Sequence, residues 1–135
     1  MKKTLLSLAL LTTLALALSA CGASSAASTD IKVVFTDFHF TPDSFTIPAG
    51  KEITLTATNN GAVEHEFVIF KLGSNAGDAF GPDDEGNIYW EVQTLPGESK
   101  TVTFTAPAEP GEYYLVCGIP GHLEAGMSGK LIVVK

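Results

Sequence analysis

At 135 residues with a formal net charge of −7, from 8 Lys and Arg against 15 Asp and Glu, the chain has room for one domain with one core. It is too acidic to favour nucleic acid or an anionic lipid surface as a partner. The same balance favours a basic partner protein, because opposite charge speeds encounter more than it deepens affinity.

Lys2 and Lys3 make a basic start, Leu5 to Leu18 is an apolar run broken only by Ser and Thr, and small residues follow. This is the pattern of a secretory signal, too short and wrongly flanked for a spanning helix. It ends in Leu18-Ser19-Ala20-Cys21-Gly22, which resembles the lipobox of bacterial lipoproteins. That resemblance implies a diacylated Cys21 as the mature N-terminus and a membrane-anchored, extracytoplasmic protein, in the periplasm or at the cell surface. An ordinary signal cleaved near Ala20 would instead leave Cys21 a free thiol in an oxidising compartment, a liability. With Cys21 acylated, Cys117 is the one remaining thiol, has no disulfide partner and is free to bind metal. Removing 20 of the 135 residues leaves 115, and the loss of Lys2 and Lys3 takes the charge from −7 to −9. Residues 22–29 are Ala- and Ser-rich and read as a flexible tether. The expected organisation is signal peptide 1–20, tether 21–29 and domain 30–135.

Ile31 to Phe40 is β-rich and partly alternating. Pro42-Asp43-Ser44 is turn chemistry, and Ser44 to Ile47 is a short strand ended by Pro48-Ala49-Gly50. Ile53 to Thr58 alternates cleanly, one face buried and one wet, and Asn59-Asn60-Gly61 is a turn. His65 to Phe70 is a further strand. The stretch from Gly73 to Asn87 is rich in Gly, Asn, Asp and Pro, carries an acidic tip at Asp83-Asp84-Glu85, and reads as a long surface loop with room for a short helix. Strands follow at Tyr89–Thr94, Lys100–Thr105 (Val102 and Phe104 inward), Tyr113–Val116 and Leu131–Val134. About eight short strands at near-regular spacing, with no helical period after the signal, predict an all-β chain, an antiparallel β-sandwich with Greek-key connections.

Between the last two strands the sequence places Cys117, His122 and Met127, with four residues between each pair. Thiolate, imidazole and thioether are a soft ligand set, and Cys and His with a weak axial Met are the ligands of an electron-transfer copper site. Such a site needs a second His, which must be His39 or His65. Zinc also accepts Cys and His, but the Met argues against it. Cys on a strand is otherwise usually a small buried hydrophobe, and Met a packing residue; their spacing with His122 favours copper.

Tyr-Tyr-Leu-Val-Cys-Gly-Ile-Pro-Gly-His-x-x-x-Gly-Met, residues 113–127, resembles the ligand loop of the cupredoxins, the type 1 blue copper proteins of plastocyanin and azurin kind. It is similar to the loops of rusticyanin- and auracyanin-type members. Asn59 to Phe67 resembles the segment that carries the family's first His. The resemblance runs from about Ile31 to Lys135 and implies His65, Cys117 and His122 in a trigonal plane, Met127 axial, and one copper ion cycling between Cu(I) and Cu(II). It also implies a weak fifth ligand from the Glu64 carbonyl, and electron entry through His122 in an apolar patch of Ile119, Pro120 and Leu123. Many members carry Asn or Ser after the first His, and Glu66 departs from that. His39 shares the Asp37 face by alternation and is expected to be a solvated strand residue. Trp90, Tyr113 and Tyr114 are expected to be core or sheet residues and not electron relays. Pro120 offers no N–H, which limits the hydrogen bonds that reach the sulfur.

The function expected is a lipid-anchored, monomeric one-electron carrier between redox proteins such as a c-type cytochrome or a membrane oxidoreductase. It is not expected to be an enzyme, since three His cannot supply the further clusters of a multicopper oxidase. The alternative is a copper-delivery or copper-storage protein. Such proteins favour Met- and His-rich exposed segments, and this chain has two Met, one of them the initiator.

Overall fold

A computed structural model describes residues 26–135, so the expected signal peptide, Cys21 and the first part of the tether lie outside the described residues. Among the described residues nine strands form two sheets. The first sheet has the order β2-β1-β4-β7, with β1 Asp30–Thr36, β2 His39–Thr41, β4 Glu52–Asn59 and β7 Ser99–Thr105. The second has the order β3-β9-β8-β5-β6, with β3 Ser44–Pro48, β5 His65–Phe70, β6 Ile88–Thr94, β8 Gly111–Val116 and β9 Ser128–Val134. Hydrogen bonds reach back to Ser28, whose N–H donates to Thr46 O, and to Thr29, whose carbonyl accepts from Thr54. No helix among the described residues is long and apolar enough to cross a membrane.

Alternation does the sorting. Ile31, Val33 and Phe35 of β1, Ile53, Leu55 and Ala57 of β4, Phe45 and Ile47 of β3, and Leu131 and Val133 of β9 all turn inward into one core, while their neighbours face solvent. Strand β5 breaks the alternation, with Phe67, Val68, Ile69 and Phe70 all fully buried. Its outer face is covered by a second cluster of Val68, Phe70, Val116 and Leu123, packed with Phe80, Ile88 and Tyr114. The loop between β5 and β6 supplies that cover. It contains a 3₁₀ turn, Pro82–Asn87, which begins on a proline and carries Asp83, Asp84 and Glu85 in its first turn.

Two expectations are corrected. Ile31 to Phe40 is not one strand but the β1–β2 hairpin, whose two-residue tip is Asp37-Phe38. The turn is hard to see in sequence because its left-handed residue is Phe38, φ +68, where Gly or Asn would be expected. Nor is the sandwich wholly antiparallel: β1 pairs parallel with β4, and β3 with β9. In each case the chain leaves for the other sheet before the partner strand is laid down, so local turns do not set the direction.

Phe35 and Phe67 anchor an aromatic cluster that ends under the candidate site. Phe67 packs on Phe35 (6.5 Å between centroids), Phe40 (5.8 Å) and Phe45 (5.6 Å), and Phe35 stands edge-on to His65 at 6.0 Å. Trp90 stacks on Phe104 at 4.4 Å, and the Tyr113 hydroxyl donates to Glu109 O at 2.7 Å; both act as sheet residues. Phe67→Ala should remove the hub of this cluster and lower stability by about 3–5 kcal/mol, read as a fall in the guanidinium midpoint of the metal-free protein.

Candidate metal centre

Antiparallel pairing of β5 with β8, Val68 opposite Val116 and Ile69 opposite Leu115, carries the start of β5 alongside the end of β8. His65 begins β5, and Cys117 follows the last residue of β8. The β8–β9 loop then folds back on itself. Cys117 N–H donates to Met127 O (3.0 Å), Met127 N–H to His122 O (2.9 Å), and His122 N–H to Ile119 O (3.1 Å). The loop reverses at Gly121, φ +85, and Gly126, φ +97, a region open to glycine at no steric cost.

Three donor atoms meet at this junction. Cys117 Sγ lies 3.3 Å from His122 Nδ1 and 3.8 Å from His65 Nδ1, and the two Nδ1 atoms are 3.2 Å apart. A metal held by nitrogen at about 2.0 Å and by thiolate sulfur at about 2.3 Å sets planar donors about 3.5–3.8 Å apart, so the triangle has the size a first-row ion requires. His65 and Cys117 are fully buried, and His122 is 7% exposed. Met127 is fully buried in the same cluster as Cys117, and its backbone is bonded to both Cys117 and His122. His39 lies elsewhere, exposed on β2, its Nδ1 paired with Asp37 O at 3.3 Å.

The surroundings are dry and partly negative. Burial pushes the Cys117 thiol up, against the backbone amides of Glu66 and Ile119, which face the sulfur and pull it down; Glu66 and Glu64 add to the upward push. The Glu66 N–H reaches Sγ at 3.4 Å. Thus a backbone amide ties the two ligand segments, and the identity of the Glu66 side chain does not decide that link. Pro120 offers the sulfur no N–H, and the amides that pull the thiol down are those of Glu66 and Ile119. Burial lowers His65, and the nearby His122 lowers it further, while Asp37 raises it. The Glu66 carboxyl is raised by its own burial first, then by Glu91, Glu64 and Glu85. Its carboxylate occupies the space above Gly118, where a Cβ would collide with it. The Glu64 side chain turns away, accepting from Gln93 Nε2 at 3.1 Å.

The expected electron-entry surface is partly corrected. Pro120 is exposed and Ile119 half-buried, but Leu123 is 8% exposed and belongs to the cluster under the β5–β6 loop. The apolar side chain that does lie against His122 is Phe38, edge-on at 5.2 Å and 41% exposed. Sequence reasoning also missed Asn59, fully buried. Its Nδ2 donates to Val63 O (2.8 Å) and Thr94 O (3.0 Å), and its Oδ1 accepts from Gly61 N–H (2.8 Å). Asn59 thereby fixes the loop that delivers His65. The clue was present as an Asn-Asn-Gly turn, but nothing in sequence says which Asn points inward.

Comparison with known proteins places these features. The family model for the cupredoxin-like domain matches residues 7–133. Auracyanin-A of Chloroflexus aurantiacus is 36% identical, over 93% of this chain and 94% of its own length. The copper-resistant cuproprotein CopI of Rubrivivax gelatinosus is 32% identical, over 83% of this chain and 70% of its own. The crystal structure of dithionite-reduced auracyanin from Roseiflexus castenholzii superposes with a TM-score of 0.69 at 34% identity, covering 81% of this chain and 99% of that one.

A raised carboxyl destabilises the folded state once it must ionise, so the contribution of Glu66 to stability falls as pH rises from the ordinary carboxylate range through its raised folded value. Glu66→Gln should therefore raise the denaturation midpoint of the metal-free protein at pH 7 and lose that advantage in acid below the ordinary Glu range. Chemical denaturation at the two pH values checks it.

Proposed function

The chain belongs to the cupredoxin-like family, and from that premise we propose that it is a blue, type 1 copper protein carrying one electron at a time between redox proteins outside the cytoplasm. The observation that carries this reading is the buried triangle of Cys117 Sγ, His65 Nδ1 and His122 Nδ1, 3.2–3.8 Å on a side. Copper supplies one-electron Cu(I)/Cu(II) chemistry when bound. His65, Cys117 and His122 would hold it, with Met127 and the Glu64 carbonyl as weaker donors.

What the protein contributes is a donor set fixed before metal arrives. The sulfur is held by the Glu66 backbone N–H at 3.4 Å, the loop by its own hydrogen bonds, and His65 by the aromatic floor at Phe35. Ligands that do not move when the charge changes keep the reorganisation of each transfer small. Burial keeps water away from the donors, and Cys117 would give up its proton on binding the metal. Electrons would enter and leave at the His122 end, where Phe38, Pro120 and the half-buried Ile119 offer a small apolar contact. Weak, low-area docking suits a carrier that must let go. Among such carriers' partners, a c-type cytochrome or a membrane oxidoreductase fits the acidic surface when it presents a basic face. Acylation of Cys21 would anchor a monomer to a membrane, with residues 22–29 as its tether.

The similarity to CopI favours a second reading, copper handling or resistance. The closed site weighs against rapid release, since Cys117, His65 and Met127 are all fully buried. Loading the full chain with one equivalent of Cu(II) should give an intense charge-transfer band and a narrow parallel copper hyperfine splitting. Cys117→Ala should abolish the band while the sandwich stays folded. A pale protein with a tetragonal Cu(II) spectrum would favour trafficking. Met127→Leu should keep copper and change the reduction potential, measured by redox titration; an unchanged potential removes Met127 from the ligand set.

A further inference from the structure

The β1–β2 hairpin touches the metal centre with two consecutive residues that lie outside the ligand set. Its tip, Asp37-Phe38, is closed by the Thr36–His39 pair, and Phe38 sits at φ +68, a conformation bulky residues adopt only under constraint. Each tip residue faces a different histidine. The Phe38 ring lies edge-on to His122 at 5.2 Å, and Asp37 Oδ1 lies 3.6 Å from His65 Nε2. The same oxygen accepts from Ala62 N–H at 2.9 Å, which holds the carboxylate. Gly61 leaves the gap between carboxylate and ring open: a Cβ there would fall 2.6 Å from Asp37 Oδ1 and 2.7 Å from His65 Nε2. His65 Nε2 is buried with no hydrogen-bond partner among the described residues, so Asp37 is the carboxylate it faces.

We propose that Asp37 is a positioning residue for the copper centre, its carboxylate setting His65 in the Nε2–H tautomer with the Nδ1 lone pair turned toward Cys117 and His122. The proposal rests on the copper reading above. A histidine whose outer N–H faces a carboxylate has a fixed orientation and a more basic ligating nitrogen, and loss of such a partner typically lowers metal affinity about 10–100-fold. At 3.6 Å the contact is longer than a direct hydrogen bond, so its effect is carried by charge. The negative charge, one imidazole away from the metal, favours Cu(II) over Cu(I). Asp37 is 46% exposed, and solvent screens part of that field. The smaller end of the range is therefore the expected one.

Asp37→Asn keeps the size of the side chain and an oxygen for Ala62, and removes only the charge. In the full chain it should retain the charge-transfer band but bind Cu(II) about tenfold less well relative to Cu(I), a rise in potential of about 59 mV. Nitrogen-15 spectra of the metal-free protein at pH 7 should show His65 as the Nε2–H tautomer in the wild type and as a mixture in Asp37→Asn. Asp37→Glu should return the potential toward the wild-type value. Gly61→Ala keeps the carboxyl group but wedges a methyl group between it and the ring, so that the two must move apart; it should raise the potential in the same direction, and it carries the test if Asp37→Asn does not fold. An intact band with unchanged potential and tautomer in either variant overturns the proposal, as does a loss of thermal stability with no spectroscopic change. Failure of the copper reading shows separately, as a missing band in the wild type before any variant is compared, and this proposal falls with it.

Discussion

One buried thiol and two buried imidazole nitrogens, 3.2–3.8 Å apart, set the terms for the rest of this molecule. Polar atoms shut away from water are unfavourable unless they find partners, and these three have chiefly one another. They are drawn from segments 52 residues apart in sequence, His65 and Cys117, which meet because β5 and β8 are neighbours in one sheet. An ion of suitable size would join these segments across the sheet and so would stabilise the fold. The strands elsewhere serve to keep that junction dry and unmoving.

The support around the junction is mostly backbone and aromatic surface. Two amides, from Glu66 and Ile119, face the Cys117 sulfur, and the loop between Cys117 and Met127 closes on its own hydrogen bonds. Such a frame tolerates change in side chains near the site. Glu66 illustrates it: a carboxylate stands beside His65, yet the link to the sulfur survives because the N–H makes it. The Phe35, Phe40, Phe45 and Phe67 cluster forms the floor, and the hairpin tip at Asp37-Phe38 forms the lid over both histidines.

The position of that lid ties function to a strained turn. A left-handed Phe38 is unfavourable relative to glycine at the same place. The same turn presents a ring to His122 and a carboxylate to His65, and a glycine at position 38 would lose the first. His122 is thereby nearly closed off, at 7% exposure, while Phe38 itself stays 41% exposed.

Much of this was legible in the chain before folding. Cys117, His122 and Met127 are close in sequence, so a loop of fixed spacing displays them together, and alternation in β4, β7 and, in part, β1 follows from the two-residue period of a strand with one wet face. The choice of His65 over His39 rests on resemblance and on alternation; the structure brings His65 to Cys117 and His122 and leaves His39 exposed on β2. What required tertiary structure was everything decided by contact between distant segments. The parallel β1/β4 and β3/β9 pairs depend on strands crossing between sheets, which no local turn encodes. Leu123 reads as loop surface, yet it is buried because the β5–β6 loop packs over it. Asp37, Phe38 and Gly61 carry no motif, and a Phe at positive φ runs against local preference; only long-range packing could bring them onto the two histidines. The sequence by itself determined the ligand types and the strand periodicity, because both are local. The fold alone decided which side chains face those ligands, because that is set by burial and by pairing across the chain.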